Sequence, residues 1–472
     1  MAERAATASF RFGRLRLIRL PPSSISLPSS GSTAQSTSFV ELAVGVTDDY
    51  GTDLMFDSVG LRIDVLDAQT LQSPPGVTLR LTNSPSSTSS PDSNSATFTF
   101  SPSNGPFHTL KLSLIFQPSL TALPALPSLT FRLSVASSSP PAPAKESDAT
   151  RCIRTLINES HQDVVETWDE KRYVLMSVRS GAVEVKVAGK EVKVANEKVQ
   201  TAIRTIHLPS SPSASSSTES NSSFATPTLS SRPIIIVERP GLNNSTGQRL
   251  WDCAIGMSAF LSLFPHALDA AVPLTSIGIQ NYDEPSSKRR RVENVSRARG
   301  RNVRVVELGA GCALASMAAS RILSTYGAAS MASVLATDVE ATVETTLKEN
   351  LEAKLEAAVL DWGELSQDTV ANVTQGTRRR RRSDATDDET SLTALATDVL
   401  YNPSSHCLLL STMLSLLRPH QPPSTPSTHR RALVAYKRRT EGDDGFFAHA
   451  KGAGLEVTKV WEWGEVSVWS FV

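Results

Sequence analysis

Hydrophobic and polar residues alternate along several short segments in the first part of the chain. The period-two alternation is clearest at 39–46 (FVELAVGV), 60–67 (GLRIDVLD), 109–116 (TLKLSLIF) and 129–136 (LTFRLSVA). This period places successive side chains on opposite faces of a β-strand, and serine-, proline- and glycine-rich stretches between the segments supply turns. The pattern predicts a β-rich N-terminal region over residues 1–136, folded as a small sandwich or barrel whose role is unknown.

The apolar pattern changes after about residue 240, where strand-like runs alternate with segments of helical period. The strand-like runs occupy 303–308, 332–338, 357–362, 392–401 and 431–436, and two more strands close the chain. Strands that alternate with helices predict an α/β fold with a doubly wound, mainly parallel sheet over residues 240–472. Ligands of such sheets bind at the carboxyl ends of the strands, where the strand order reverses.

The region between these two halves, residues 137–239, is predicted to be a linker followed by a mixed α/β extension. Its serine- and proline-rich stretches 137–144 and 209–232 hold too few apolar residues to offset the entropy lost on ordering. We expect a helix within 156–171 and a short buried strand at 233–238 (PIIIVE).

Charge and cysteine content limit the class of protein. The 472-residue chain has 47 Lys and Arg residues against 47 Asp and Glu residues, so no global field attracts nucleic acid or an anionic membrane. The four cysteines lie far apart without a C-x-x-C pair, which argues against zinc ribbons and disulfide frameworks. No apolar run approaches the ~18 residues that a membrane-spanning helix needs. We therefore expect a cytoplasmic protein with no membrane partner and no metal.

Basic residues are concentrated in two inserts of the second half and near the N-terminus. The inserts 281–301 and 374–391 contain KRRR and RRRRR. Such clusters are most simply solvated loop charge, but Lys288–Arg291 also fits a nuclear-import signal. Nucleic-acid binding is disfavoured because no aromatic residues lie among the arginines. Near the N-terminus, 10–20 (FRFGRLRLIRL) fits an edge strand or part of a targeting signal.

A glycine-containing turn follows the first strand of the second half, within 305–316 (VVELGAGCALAS). Gly309 and Gly311 allow the tight turn with which a backbone approaches a ligand. A dinucleotide fingerprint would have a third glycine where Leu314 stands, and Glu307 would repel a pyrophosphate. The segment favours a cationic ligand, although a turn without a ligand has the same local pattern.

Further candidates stand at the ends of the next two strands. Asp338 ends the second strand, where a carboxylate can accept bonds from both hydroxyls of a ribose, and Asp361 with Trp362 ends the third, where an indole can stack on adenine. Taken singly, Asp338 is more simply a helix N-cap and Trp362 a core aromatic residue. Together with the glycine turn they describe a pocket for an adenosine that carries an amino acid and no phosphate, which is S-adenosylmethionine.

The motifs of this half resemble those of a known family. They are similar to motifs of the seven-stranded class I methyltransferases and, within these, of the methyltransferase-like 21 and fungal ribosomal lysine methyltransferase 5 family. The resemblance covers roughly 240–472 and implies a Rossmann-like methyltransferase sheet of seven strands. The segments that carry it are TGQRLWD (246–252), VVELGAGCALAS (305–316), VLATDVEATVETTLKENL (334–351), AAVLDWGE (357–364), ATDVLYNP (396–403) and AYKRRTEGDDGFFAHA (435–450).

The resemblance also implies the site residues. Asp398 and Tyr401 form the D-x-x-Y sequence after the fourth strand, which would border the channel of the substrate lysine and carry the catalytic role. Taken alone, Asp398 is a loop acid that caps a helix and Tyr401 is a buried packing residue. Ala313 replaces a glycine that many relatives have, which narrows the turn only slightly. The residues expected to bind the cofactor are Trp251, Glu307, Gly309, Ala310, Gly311, Asp338, Asp361, Trp362 and Thr397.

These residues predict an S-adenosylmethionine-dependent protein-lysine N-methyltransferase that acts on a ribosomal protein, an elongation factor or a chaperone-like ATPase. The sulfonium is already activated, so transfer needs proximity and orientation more than a dedicated base. Two alternatives are methylation of a small molecule or RNA, and a non-catalytic scaffold with a vestigial methyltransferase fold. A nicotinamide dehydrogenase is disfavoured by Leu314 and Glu307. We expect the enzyme to be a monomer.

Overall fold

The structure is a computed structural model, and the chain divides into two compact units. The first unit comprises residues 1–145, 157–206 and 237–241, and the second comprises 146–156, 207–236 and 242–472. The stretch predicted as a linker and mixed extension therefore contributes residues to both units. The structure describes residues 10–27, 35–83, 93–122, 126–136, 147–157, 164–166, 169, 171–187, 198–209, 232–239, 246–274, 302–325, 332–352, 355–363, 365–375, 390–418 and 428–472.

The first unit is built from β-strands, which confirms the β-rich prediction for this half. Two six-stranded sheets have the orders β5-β7-β3-β1-β10-β9 and β14-β13-β11-β8-β4-β6, and β12 pairs with β2. The strands are β1 (Phe10–Arg19), β2 (Ser24–Leu27), β3 (Ser36–Thr47), β4 (Val59–Asp67), β5 (Val77–Leu81), β6 (Ser95–Phe100), β7 (His108–Phe116), β8 (Leu129–Val135), β9 (Val164–Glu166), β10 (Arg172–Met176), β11 (Val178–Ser180), β12 (Glu184–Val187), β13 (Ala202–Ile206) and β14 (Ile234–Glu238).

The alternation in the sequence becomes the two faces of these strands. The inward residues Leu61 of β4, Leu112 of β7 and Phe131 of β8 are fully buried in one apolar core. Large apolar side chains of this kind each contribute roughly 1.5–3 kcal/mol when they leave water. The core of the first unit therefore follows directly from its period-two pattern.

Two local predictions for this part of the chain are wrong. Strand β1 is present, but it lies between β3 and β10 rather than at an edge, because its apolar residues Leu15 and Leu17 are buried and both of its sides are paired. The helix expected within 156–171 instead covers Asp148–Ile157, and β9 follows it. The β-branched residues Val164 and Val165 favour that strand, which pairs with β10.

The second unit contains a seven-stranded sheet with the order β17-β16-β15-β18-β19-β21-β20. The first five strands in this order are parallel, β21 runs antiparallel to them, and β20 pairs antiparallel with β21 and so has the direction of the first five. The chain moves outward from β15 to β16 and β17, then returns to the other side of β15 for β18 and β19, so the order reverses beside β15. The strands are β15 (Asn302–Leu308), β16 (Ala332–Asp338), β17 (Glu356–Val359), β18 (Thr390–Thr397), β19 (Thr428–Lys437), β20 (Val457–Trp463) and β21 (Val466–Phe471).

Helices connect these strands, so the α/β prediction for this half is confirmed. Helix α2 is apolar on all sides and its residues 252–261 are all buried, as expected for a helix inside a unit. A π-helical turn, Val343–Leu347, joins α4 to α5. The helices are α1 (Asp148–Ile157), α2 (Asp252–Leu263), α3 (Leu314–Thr325), α4 (Glu340–Thr342), α5 (Lys348–Asn350), α6 (Gln367–Gln375), α7 (His406–Leu417) and α8 (Gly445–Gly452).

Lys288–Arg291 lies outside the described residues, as does the arginine run of the second insert. Within the described ranges, no helix has the length and apolar character required to cross a membrane.

Candidate functional site

The candidate site lies at the carboxyl edge of the parallel strands. Strand pairing places Leu308 beside Thr337 and Ala396, so the ends of β15, β16 and β18 are level with one another. Asp338 is level with Val359, the last residue of β17. The segments that follow these strands therefore start from one edge of the sheet, beside the point where the strand order reverses.

The glycine turn after β15 is shaped by left-handed backbone and close packing. Gly309 has a φ of 65° and Gly311 a φ of 52°, a region that favours glycine. A Cβ on Gly309 would lie 2.9 Å from Cγ1 of Val399 and 3.3 Å from the indole of Trp362. The amide of Gly311 donates to Oδ2 of Asp338 over 2.8 Å. The structure therefore brings together four predicted features: both glycines, Asp338 and Trp362.

Ala310 and Ala313 complete the turn. The amide of Ala310 donates to the carbonyl oxygen of Thr337 over 2.9 Å, which ties the turn to the end of β16. Ala313 also has a positive φ of 60°, a region that favours glycine, and is fully buried. A left-handed conformation costs a residue with a Cβ about 1–2 kcal/mol. Ala313 therefore tolerates the glycine conformation at an energetic cost.

A short 3₁₀ turn, Thr246–Gln248, packs on the glycine turn. The carbonyl oxygen of Gly247 lies 3.4 Å from the position of a Cβ on Gly311, and a Cβ on Gly247 would lie 2.9 Å from Oγ1 of Thr342. Gln248 is buried, and its Oε1 has no hydrogen-bond partner within the described part of the chain. Neither Gly247 nor Gln248 was predicted as a site residue, although both lie in the TGQRLWD motif.

Glu307 is fully buried directly before the glycine turn. Its Oε2 accepts bonds from the amide of Ser316 (2.9 Å) and from the Ser316 hydroxyl (2.6 Å), and a hydrogen bond from the Thr397 side chain also lowers the pKa of this carboxyl group. Burial raises the pKa of Glu307 from an ordinary 4.5 to about 7, against the lowering effect of the Ser316 bonds. The protein thus maintains a carboxyl group whose charge would be favoured by a nearby cation.

Asp338 and the residues after β17 occupy the other side of the turn. Oδ1 of Asp338 accepts the amide of Val339 over 2.8 Å, and burial raises the pKa of Asp338 despite its backbone bonds. Trp362 is half-buried beside Gly309. Asp361 is exposed, and its Oδ1 accepts the amide of Gly363 over 3.0 Å, so its carboxylate closes a local turn.

Asp398 forms a second cluster, after the end of β18. Its φ is 58°, its amide donates to the carbonyl oxygen of Ala435 (3.0 Å), and its side chain is buried. The guanidinium of Arg439 binds both carboxylate oxygens, with Nε 2.8 Å from Oδ1. The same guanidinium lies 4.7 Å from the ring centroid of Trp251. Arg439 was not predicted, and the only signal for it is its place in the AYKRRTEGDD motif.

Thr397 and Tyr401 flank this second cluster. Thr397 is the last residue of β18 and is buried, and it pairs with Ala435 of β19. Tyr401 is 46% exposed, so it is not the buried packing residue that its type alone suggests. The structure thus connects Trp251 to Asp398 through Arg439 and leaves the tyrosine ring partly accessible to solvent. Among the described residues, no group of three or more His, Cys, Asp or Glu side chains could hold a metal ion.

A comparison with protein families finds a match within the second half of the chain. Residues 230–453 match the family model described as lysine methyltransferase. The resemblance predicted from the motifs is confirmed. The match includes the glycine turn, Asp338, Trp362 and the Asp398 cluster, and it supports a methyltransferase. A comparison with curated proteins finds no match.

Solved structures with matching regions include several methyltransferases. A crystal structure of OxaC with SAH and oxaline is 14% identical over 38% of this chain and 44% of that chain, with a TM-score of 0.26. The CurJ carbon methyltransferase is 13% identical over 46% of this chain and 66% of its own, with a TM-score of 0.23. The CMeT domain of the citrinin polyketide synthase is 11% identical over 37% and 47%, with a TM-score of 0.23. The chain thus spans less than half the length of the OxaC chain in that complex.

Proposed function

We propose that the second unit is an S-adenosylmethionine-dependent protein-lysine N-methyltransferase that acts on a lysine of a cytosolic protein. The observation that carries the proposal is the Gly309–Gly311 turn, which Asp338 binds and Trp362 flanks, inside a segment that matches the lysine methyltransferase family. The turn stands at the carboxyl ends of parallel strands, where ligands of doubly wound sheets bind. The four cysteines lie far apart in the sequence without a C-x-x-C pair, a pattern that fits a reducing compartment and supports a cytoplasmic location.

The residues around the turn fit this cofactor. The carboxylate oxygens of Asp338 accept the amides of Gly311 and Val339 and a hydrogen bond from the Thr342 side chain, and the remaining lone-pair capacity can accept a ribose hydroxyl. Glu307 is fully buried, its pKa is raised to about 7 by that burial, and a ligand with positive charge would favour its ionised form. A pyrophosphate would instead meet two carboxyl groups. The site therefore suits a nucleoside sulfonium better than a dinucleotide.

The chemistry asks the protein for binding and orientation. S-adenosylmethionine, when bound, supplies a methyl group on a positively charged sulfur that needs no further activation. The acceptor nitrogen must present a free lone pair in line with the methyl–sulfur bond, and its released proton passes to solvent. Correct placement of this kind can account for about 7–11 kcal/mol of the barrier. The rigid turn and its neighbours are suited to that role.

The acceptor side of the proposed site is the D-x-x-Y segment. Tyr401 follows β18 on a loop and is partly exposed, so a lysine can approach its hydroxyl and ring. Contact with the ring would desolvate the ammonium and lower the pKa of the lysine, while the hydroxyl can accept a bond from the amine. The carboxylate of Asp398 accepts hydrogen bonds from Arg439. Asp398 is therefore better suited to orient neighbouring groups than to accept a proton.

A labelling experiment tests the proposal. The full chain is incubated with S-adenosylmethionine radiolabelled in its methyl group and with a lysate from cells that lack the gene. We expect a labelled protein band whose label is recovered as methyl-lysine after hydrolysis. Label in small molecules or RNA, with no labelled protein band, would show that the acceptor is not a protein lysine. Absence of cofactor binding in calorimetry would support a non-catalytic scaffold instead.

A further inference from the structure

Arg439 connects two predicted site residues that are far apart in the sequence. Its guanidinium binds both oxygens of Asp398, and the two side chains are only 7% and 6% exposed. The ring centroid of Trp251 lies 4.7 Å from the guanidinium carbon, within the distance of a cation–π contact. The Arg439 side chain therefore contacts both Asp398, at the acceptor end of the site, and Trp251, directly before α2.

The backbone of Arg439 is fixed by a capping box. Oδ2 of the fully buried Asp443 accepts the amides of Arg439 (2.8 Å) and Thr440 (3.0 Å), and its Oδ1 accepts the Thr440 hydroxyl (2.5 Å). Gly442 of the same loop closely approaches Pro403, because a Cβ on it would lie 3.1 Å from Cγ of that proline. The loop after β19 is thus fastened to the D-x-x-Y loop at both Asp398 and Pro403.

Only an arginine can make both contacts of this side chain. A guanidinium is planar, binds a carboxylate through two parallel hydrogen bonds and stacks on an aromatic ring at the same time. A lysine would keep the charge but lose the two-point contact and much of the stacking. Neutralising the buried carboxylate of Asp398 would require only a positive charge, so the additional contact with Trp251 calls for an arginine.

We infer that Arg439 is a positioning residue of the transfer site: it holds the Asp398 carboxylate at the acceptor end and holds the Trp251 ring against the cofactor side. The inference rests on the proposed function. It adds a residue that contacts both the cofactor side and the lysine side of the site. It also assigns a role to Asp398. A carboxylate held by two hydrogen bonds from an arginine orients its surroundings and does not take the lysine proton.

Calorimetry with S-adenosylhomocysteine tests the cofactor side without needing the acceptor. The full chain is compared with Arg439→Met, Arg439→Lys, Trp251→Ala and the double variant Trp251→Ala/Arg439→Met. Arg438→Met is the matched control, because Arg438 is the exposed neighbour and pairs with Asp444. We expect Arg439→Met to weaken binding about tenfold and Arg439→Lys to weaken it less. The double variant should bind no more weakly than Trp251→Ala, and Arg438→Met should match the wild type.

The labelling assay tests the acceptor side. Label transferred by Arg439→Met should stay about tenfold below that of the wild type even when S-adenosylmethionine is saturating, since the misplaced Asp398 is not restored by more cofactor. Melting temperatures identify any variant that fails to fold. If Arg439→Met fails to fold, the comparison of Arg439→Lys with the wild type is used instead. The inference about Arg439 is overturned if Arg438→Met and Arg439→Met weaken S-adenosylhomocysteine binding equally, or if the losses of affinity of the two single variants multiply in the double variant. Neither result affects the proposed function. A folded wild type that does not bind S-adenosylhomocysteine overturns the proposed function itself.

Discussion

At the scale of single residues, burial of Glu307 makes stability depend on pH. Its pKa is about 7 in the folded chain and 4.5 ordinarily. Between these values the folded chain retains a proton that the unfolded chain releases, so the free energy of unfolding falls as the pH rises. The full effect is about 3 kcal/mol and is reached above pH 7.

Glu307→Gln removes this titration. Between pH 4.5 and pH 8 the wild type should lose about 3 kcal/mol of unfolding free energy through this residue, whereas the variant should not. The stability of the variant relative to the wild type should therefore increase by that amount. Urea unfolding at several pH values measures it. Glu462→Gln, at an exposed glutamate of β20 that pairs with Lys459, is the control and should follow the wild-type curve. A Glu307→Gln curve parallel to the wild type would contradict the prediction.

A second residue-scale prediction concerns Gly309. Gly309→Ala should lower the free energy of unfolding by at least about 2 kcal/mol, because φ is 65° and the new Cβ would lie 2.9 Å from Val399. Gly445→Ala is the matched control: its φ is −58° and a Cβ there has nothing within 4 Å. The control should be neutral or more stable by up to about 1 kcal/mol. Similar losses in the two variants would show that the turn is not constrained as described.

The residue scale is also where sequence reasoning about the site was incomplete. Gly309 and Asp338 could be predicted as neighbours because β15 ends directly before Gly309 and β16 ends at Asp338, whereas Trp362 lies three residues beyond the end of β17 and not at its end as the apolar pattern predicts. The partner of Asp398 could not be predicted, because Arg439 lies 41 residues later and is one of two adjacent arginines with the same local signal. Only packing of the two loops distinguishes Arg439 from the exposed Arg438.

At the scale of elements, a buried ion pair joins helix α2 to strand β19. The Nζ atom of Lys437 lies 3.0 Å from Oδ2 of Asp252 and 3.3 Å from Oε2 of Glu465. Lys437 and Asp252 are both buried. Removal of one member of such a pair leaves an uncompensated charge, which costs more than the pair itself contributes.

Lys437→Met should therefore lower the free energy of unfolding by about 3–5 kcal/mol. The matched control is Lys459→Met on β20, whose ion pair with Glu462 is exposed and should be worth less than about 1 kcal/mol. Thermal and urea unfolding of both variants check the contrast. Equal stability of the two variants would mean that the Lys437 pair is not shielded from solvent.

Elements with strong periodicity were predictable, and their ends were not. The buried strand predicted at 392–401 ends at Thr397, because Asp398 turns into the left-handed region and pairs with Arg439. Helix α6 has a weak apolar pattern and was not predicted at all. In both cases tertiary contacts decide what the local pattern leaves open.

At the scale of the whole molecule, the second unit includes a helix from before residue 157. The hydroxyl oxygen of Thr150 in α1 accepts the indole N–H of Trp463 over 3.1 Å, and Cys152 contacts the carbonyl oxygen of Ala259. Ile153 and Leu156 of α1 are fully buried. Their burial is worth roughly 2 kcal/mol for each side chain.

A fragment that starts at residue 240, the predicted domain boundary, would lack these contacts. We expect the fragment 240–472 to be less stable and less soluble than the same fragment with residues 146–157 joined to its N-terminus by a flexible glycine-serine linker, because loss of α1 exposes apolar surface of the unit. Melting temperature and the soluble fraction after expression measure the difference. Equal behaviour of the two fragments would support a domain boundary at residue 240.

The bond between Thr150 and Trp463 also has a consequence for biosynthesis. The two residues are 313 positions apart, so α1 leaves the ribosome long before the strand that it packs against. At a synthesis rate of about 5–20 residues per second, the wait for Trp463 is about 15–60 s, and even Ala259 of α2, which Cys152 contacts, is synthesised 107 positions after that cysteine. We therefore expect this chain to depend on a chaperone that shields nascent α1 until translation ends.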